Sequence, residues 1–203
     1  MQKNNISFVI SAPSGAGKST LVNKLMASDR RFDFIISTTT RSKRSSEIEG
    51  KSYYFVTYEK FKKMINNNEF IEWAMVYGNY YGTTKKEVDR IKDLGKIPLF
   101  DVDTQGAKNI RKKLNNVVYI FIVPPSLEIL RTRLINRKAN TIEDINLRLK
   151  SIKNELDEIV NYDYVVVNDD IDKACDDIKA IIRAEECKDK MIVTKLKDRL
   201  EAL

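Results

Sequence analysis

The run Ser11-Ala12-Pro13-Ser14-Gly15-Ala16-Gly17-Lys18-Ser19-Thr20 constrains the fold of this chain more than any other stretch. It follows the buried-strand pattern Ile6-Ser7-Phe8-Val9-Ile10 and precedes Leu21, Leu25 and Met26 at helical spacing. Strand, glycine-rich turn and helix are the context that the phosphate-loop pattern G-x-x-x-x-G-K-[ST] demands. Its glycines let the backbone turn so that successive N–H groups converge on phosphate oxygens, and the helix N-terminus adds partial positive charge. Lys18 then reaches the β/γ-phosphates and the Ser19 hydroxyl ligates Mg²⁺. Ala12 stands where the pattern wants Gly, which a small side chain tolerates if that residue keeps φ below zero.

Histidine is absent from all 203 residues, which removes any mechanism built on an imidazole base, a Ser-His-Asp or Cys-His pair, or a His-containing zinc site. Cys175 and Cys187 fall outside C-x-x-C or zinc spacing and read as reduced thiols rather than a disulfide framework. Chemistry is left to charge, hydroxyls and carboxylates. An apolar share of 42% with 32% charged residues suffices for the core of a single domain. The longest apolar run, Val117 to Val123, is far short of the ~20 residues of a membrane helix, and the N-terminus lacks the apolar stretch of a signal peptide. A soluble, cytoplasmic protein is expected. The net charge of +7 by itself leaves nucleic acid, an anionic membrane surface and a phosphorylated small molecule open.

Short β-rich runs alternate with helix-period stretches, the pattern of an α/β protein with a mostly parallel sheet. Beyond Ile6–Ile10, strands are predicted near Phe34-Ile35-Ile36, Tyr53–Val56, Phe70–Trp73, Pro98–Val102, Val117–Val123 and Tyr164–Val167. A helix is predicted from Thr141, which with Asp144 resembles a capping box, through Ile145, Leu149, Ile152, Leu156 and Ile159. Ile192, Leu196, Leu200 and Leu203 make a last apolar stripe, able to cover the core or a partner subunit.

A phosphate loop normally has a carboxylate partner at the end of a neighbouring strand. Asp101 and Asp103, at alternate positions after Pro98-Leu99-Phe100, point the same way from such a strand. The stretch Ser37 to Glu47 has no apolar residue, and it sets Arg41 and Arg44 among hydroxyls. That composition suits either a second phosphate, gripped by guanidinium forks, or a solvated basic loop. Glu72 interrupts an apolar strand, so it lies on the solvent face or is aimed at a ligand. Tyr77 to Thr83 reads as an aromatic-rich loop serving packing or function.

In combination these blocks resemble the guanylate kinase family, bacterial type, over essentially the whole chain. The resemblance is carried by the loop at 11–20, Ser-Thr-Thr-Thr-Arg at 37–41 with Arg44, Glu47, Gly50 and Tyr53, and Phe-Ile-Glu-Trp at 70–73. Gly-Asn-Tyr-Tyr-Gly-Thr at 78–83, Asp-Val-Asp-Thr-Gln-Gly at 101–106 and Asn168-Asp169-Asp170 complete the series. It implies a P-loop kinase fold, a central parallel sheet flanked by helices with an inserted GMP-binding subregion and a helical lid. The core would span 1–36, 98–128 and 155–203, the GMP-binding subregion 37–97 and the lid 129–154. ATP would lie on Ala12, Pro13, Ser14, Gly15, Ala16, Gly17, Lys18, Ser19, Thr20 and Asn168, with Mg²⁺ on Ser19 and Asp101. Arg41, Arg44, Tyr53 and Tyr81, with Glu47 among them, would hold the GMP phosphate, while Ser37, Glu72, Thr83 and Asp103 would read guanine. Lys43, Ser46 and Lys138 depart from the family's usual Pro, Gly and Gly.

Glu72 has a chemical reason to read guanine: an ionised carboxylate accepts from the base's N1/N2 donors, a pair that adenine lacks. Between 131 and 150, Arg131, Arg133, Arg137, Lys138, Arg148 and Lys150 outnumber Glu143 and Asp144. Arg133 and Arg137 are i, i+4 neighbours. The resemblance makes Arg133, Arg137 and Arg148 lid arginines that join Lys18 in stabilising the transferring phosphoryl. On that resemblance the nucleophile would be a GMP phosphate oxygen, already substantially ionised near pH 7 with a second pKa of about 6, so no general base would be required. The partners expected are ATP and GMP, with no specific nucleic acid and no membrane. A protein-binding module of the same fold, a nucleic-acid binder and a kinase for a phosphorylated sugar are the alternatives. The complete Gly17-Lys18-Ser19 core with Asp101, the localised charge and the guanine-reading set argue against them in turn.

Overall fold

A computed structural model of the chain describes residues 6–76, 78–136, 152 and 155–188. Every side chain of β1 (Ser7–Ser11) is buried. Phe8 and Ile10 point to one face and Val9 to the other, so this strand demands cover on both sides. On the Phe8 side pack α1 (Lys18–Ser28), through Leu21, Val22 and Leu25, and α6 (Ile171–Cys187), through Ala174, Cys175, Ile178 and Ile182. On the Val9 side pack α3 (Lys85–Asp93), through Val88 and Ile91, and α4 (Thr104–Arg111), through Ala107 and Ile110. Phe8, Ile10, Leu21 and Phe100 are fully buried, each contributing roughly 1.5–3 kcal/mol of transfer free energy.

The sheet they form is five-stranded and parallel, in the order β2 (Phe32–Phe34), β7 (Ile97–Asp101), β1, β8 (Val117–Val123), β9 (Tyr164–Val167). The register Ile10↔Asp101 sets the end of β7 directly beside the start of the glycine-rich loop. A smaller sheet follows the order β4 (Tyr54–Phe55), β3 (Thr38–Thr39), β6 (Asn79–Thr84), β5 (Phe70–Val76). Its apolar face is closed by α2 (Tyr58–Asn66), whose Phe61 stacks on Phe70 and Tyr80 with ring centroids 4.3 and 5.1 Å away. Leu130 and Leu134 of α5 (Leu127–Asn136) pack with Ile152 and Leu156.

Three expectations change. The second strand is Phe32–Phe34, not Phe34-Ile35-Ile36, because the chain leaves the sheet there: the Ile35 amide still donates to Leu99 O at 3.1 Å, but the Ile36 amide donates to the Glu87 carboxylate. Thr38–Thr39 is a strand despite its lack of apolar residues, since Thr39 Oγ1 and the Thr40 amide both bond the Tyr80 carbonyl. The aromatic segment after Gly78 is the strand β6 rather than a loop, paired along its length with β5. Gly82 makes that pairing possible, because a Cβ there would stand 2.8 Å from Glu72 O. The helix α6, which the sequence reading did not single out, carries both free cysteines, Cys175 buried and Cys187 exposed. The start of the helix predicted from Thr141 and the stripe Ile192 to Leu203 lie outside the described residues. Among the described residues no helix is long and apolar enough to cross a membrane.

Candidate active site

The turn after β1 is built on Gly17, which caps α1 with φ 88°. Among the described residues the non-glycines with positive φ are Asn68 and Asn116, so Ala12 keeps the negative φ its side chain needs. Ala12, Pro13, Ser14, Gly15, Ala16, Gly17, Lys18, Ser19 and Thr20 form one continuous loop and first helical turn, in which the Ala16 amide donates to Pro13 O at 3.1 Å. Asn168, buried just past β9, donates from Nδ2 to Ala16 O at 2.7 Å. Arg133 of α5 reaches the same region, donating to Asn168 O at 3.3 Å and lying 3.5 Å from Ala16 O. Loop, α5 and the end of β9 are thus tied at one carbonyl.

A Cβ on Gly17 would stand 2.4 Å from Asn168 Nδ2. Gly17→Ala should therefore lose about 2–4 kcal/mol, from a left-handed alanine and the broken Asn168 bond. Urea denaturation checks the stability loss, and a parallel rise in KM for ATP checks that the loop is the part disturbed.

Lys18 leaves the first turn of α1 toward the β7 end, donating to Val102 O at 2.8 Å and pairing with Asp101 Oδ1 at 2.5 Å. Asp101 Oδ1 is buried and receives no aligned hydrogen bond besides that ion pair. Asp103, next on the same side, caps α4 by accepting from the Gly106 amide at 2.7 Å.

The smaller sheet supplies the second half. Arg41 leaves the end of β3 and donates to Glu47 Oε1 at 2.6 Å, with its guanidinium 5.5 Å from the Tyr53 ring centroid and 5.9 Å from that of Phe55. Glu47 Oε2 also accepts from the Arg44 amide at 2.8 Å, and the Arg41 guanidinium is the chief cause holding its carboxyl below the usual range. Glu47 therefore spends its oxygens on orienting Arg41 and the Arg44 backbone, while the Arg44 side chain is exposed. Tyr53 and Tyr81 meet edge to face at 6.0 Å beside this pair. Burial pushes the Tyr53 hydroxyl up, reinforced by Tyr81 and opposed by Arg41.

Glu72 and Thr83 lie opposite each other across β5 and β6, and the register shifts between Phe70 and Glu72, a bulge of the kind that re-aims side chains. Glu72 is 7% exposed. Burial pushes its carboxyl up to about 7, opposed by Thr83 and reinforced by Asp103. The Thr83 hydroxyl is buried beside the Glu72 carboxyl and, among the described residues, has no aligned hydrogen-bond partner. Ser37, half-buried just before β3, accepts at its carbonyl from the Tyr54 amide at 2.9 Å. The question left open for Glu72 is thus answered: it avoids the solvent face. Arg137 and Arg148 lie outside the described residues. The reading from sequence missed Glu87, buried behind this sheet. Its signal was the Thr84-x-x-Glu87 spacing of a helix cap, which points to a helix start and not to a site.

A phosphate loop between β1 and α1, a carboxylate at the end of the adjacent parallel strand, and an inserted sheet carrying paired arginines and tyrosines define a P-loop kinase. The guanylate kinase family model matches residues 4–185. The chain is 45% identical to guanylate kinase of Rickettsia felis over 185 residues, covering 91% of this chain and 96% of that one. It is 43% identical to guanylate kinase of Caldanaerobacter subterraneus subsp. tengcongensis over 188 residues, covering 93% and 91%. The crystal structure of guanylate kinase from Anaplasma phagocytophilum superimposes with a TM-score of 0.72 at 39% identity, covering 93% of this chain and 89% of that one. The chain belongs to the guanylate kinase family.

Proposed function

We propose that the protein transfers the γ-phosphoryl group of ATP to GMP, giving ADP and GDP, and that dGMP serves as a second acceptor. The observation that carries the choice of base is the pair of Glu72 and Thr83, one a buried carboxylate and the other a buried hydroxyl without an aligned partner. A pocket of that kind stays costly until filled by a base with complementary polar atoms. Guanine brings two adjacent N–H donors for the carboxylate. Asp103 and Ser37 complete the set, and Arg41, Arg44, Tyr53 and Tyr81 hold the acceptor's phosphate.

Ser19 and Asp101 are hard oxygen donors, and the buried Asp101 Oδ1 lacks an aligned hydrogen bond, so both fit Mg²⁺. Bound there, the ion would supply neutralisation of the donor's phosphate charge. The residues do the rest. Loop amides and Lys18 hold the donor phosphates, and Arg41 and Arg44 orient an acceptor oxygen in line with the γ-phosphorus. That oxygen bonds to phosphorus as the bond to the β,γ-bridging oxygen breaks, and ADP leaves with the electron pair. The acceptor phosphate needs no base, which agrees with a chain that has no histidine. Arg133, already beside the loop, takes charge developing on the phosphoryl oxygens together with Arg137 and Arg148. An arginine in such a position is worth ~10³–10⁵ in rate. Nucleotide phosphorylation by a chain with free cysteines fits the cytoplasm.

The test is ADP formation from ATP and Mg²⁺ with GMP, dGMP, AMP, CMP or UMP as acceptor. GMP and dGMP should support turnover and the other three should not. Turnover with AMP at a rate comparable to GMP would overturn the base assignment.

A further inference from the structure

Glu87 is 3% exposed and lies in the first turn of α3, behind the acceptor sheet. Its Oε1 accepts from the Ile36 amide at 3.1 Å and from Arg90 Nη2 at 2.8 Å. Its Oε2 accepts from the Tyr54 hydroxyl at 3.1 Å and from Arg90 Nε at 3.0 Å. Arg90 continues to Asp33 of β2 at 3.4 Å, so an unbroken polar chain runs from the five-stranded sheet to β4. Ile36 and Tyr54 immediately precede and follow two acceptor-site residues, Ser37 and Tyr53, and the Tyr54 amide closes the loop by donating to Ser37 O at 2.9 Å. Successive residues of a strand point to opposite faces, so Tyr54 is anchored behind β4 while Tyr53 faces the arginine cluster.

We propose that Glu87 is a positioning residue for the acceptor, fixing Ser37 and Tyr53 through their neighbours Ile36 and Tyr54 and locking the acceptor sheet to the core. A buried carboxylate with a bidentate arginine and two further donors is a rigid junction, since each bond is charge-assisted and the carboxylate itself is shielded from water. Burial, then Glu87, pushes the Tyr54 hydroxyl up, so it stays a donor at any physiological pH. Among the described residues, the hydrogen bonds and ion pairs of this network run to Ile36, Tyr54, Arg90 and Asp33 and not to the phosphate loop. Loss of Glu87 should therefore be felt as loose acceptor binding and not as weak ATP binding. The inference rests on the acceptor-site reading of the smaller sheet.

The experiment compares wild type, Glu87→Ala, Glu87→Gln and Tyr54→Phe for KM of GMP, KM of ATP, kcat and melting temperature. Glu87→Ala should raise KM for GMP about tenfold or more, with KM for ATP within about twofold of wild type. Glu87→Gln keeps acceptors for the Ile36 amide or the Tyr54 hydroxyl and should recover part of that loss. Tyr54→Phe removes one arm and should raise KM for GMP about threefold with little change in melting temperature. If Glu87→Ala does not fold, Tyr54→Phe and Glu87→Gln decide alone. A lower melting temperature with KM for GMP unmoved, or both KM values rising together, would reduce Glu87 to a structural role and overturn the inference. Absence of GMP-dependent turnover in wild type would instead overturn the acceptor reading.

Discussion

Lys18→Ala will lower GMP-dependent ADP formation by ~10³-fold or more, a barrier increase of about 4 kcal/mol, while leaving GMP binding intact. The Lys18 side chain is the charged group that the first turn of α1 extends toward the end of β7, where it lies 2.8 Å from Val102 O and 2.5 Å from Asp101. It is rooted in the first helical turn after the loop, and no second lysine among Ser11 to Thr20 can stand in for it. Removing one preorganised donor from developing phosphoryl charge costs ~10²–10³ in comparable sites, and a full positive charge is worth more. The acceptor arginines, on the other sheet, keep their own support through Glu47. Titration calorimetry should therefore find GMP affinity within about threefold of wild type while turnover collapses. Lys18→Met, which keeps the stem, separates charge from packing: it should lose as much rate as Lys18→Ala while recovering stability. Retention of a tenth of wild-type turnover in either variant would show that the transferring group is stabilised elsewhere.

The core of this site was legible in the sequence because its signals are local. Gly17-Lys18-Ser19 needs only the strand before it and the helix after it, and Asp101 and Asp103 need only the two-residue period of a strand end. Most of the five-stranded sheet was legible for the same reason: Val117–Val123 and Tyr164–Val167 are continuous apolar or β-branched runs, and the strands fall on them residue for residue, whereas β2 lies two residues earlier than its apolar run suggests. Of the acceptor sheet, the strands near Tyr53–Val56 and Phe70–Trp73 were legible and the other two were not. Thr38–Thr39 and Asn79–Thr84 owe their extended form to bonds with each other across some forty residues, such as Thr39 Oγ1 to Tyr80 O, and no local pattern encodes that. Glu87 stayed hidden because its partners, Ile36, Tyr54 and Asp33 through Arg90, come together only in the fold. Glu47 shows a finer gap. The family resemblance placed it in the acceptor site, but its carboxylate meets Arg41 and the Arg44 amide only in the folded loop.

Glu72→Gln will weaken GMP by ~10²–10³-fold in kcat/KM and leave KM for ATP unchanged. The substitution keeps volume and one acceptor oxygen but replaces the other oxygen with a donor, which meets guanine's own N–H groups head on. It also changes the pH dependence of acceptor binding. Burial raises the Glu72 carboxyl to about 7 in the free protein, above its ordinary value. Below that pH the group is protonated and donates where guanine needs an acceptor, so GMP affinity should rise about tenfold between pH 6 and pH 8 and then level off. Binding between these pH values takes up the ionised form and releases a proton, which calorimetry in buffers of different ionisation enthalpy will detect. The second ionisation of the GMP phosphate, near pH 6, acts in the same direction, and Glu72→Gln isolates it by removing the component centred near 7. Stability runs the other way. Because the folded protein holds this proton more tightly than the unfolded chain, it loses roughly 3 kcal/mol from this group as pH rises from below 4.5 through 7. Free wild type should then be less stable relative to Glu72→Gln at pH 8 than at pH 5, and saturating GMP should erase that difference in wild type alone. An equal pH dependence of GMP binding in the two proteins would place the carboxylate outside the base pocket. On the proposed reading, the carboxylate that weakens the empty fold would also select its acceptor, so the site would hold stability in reserve.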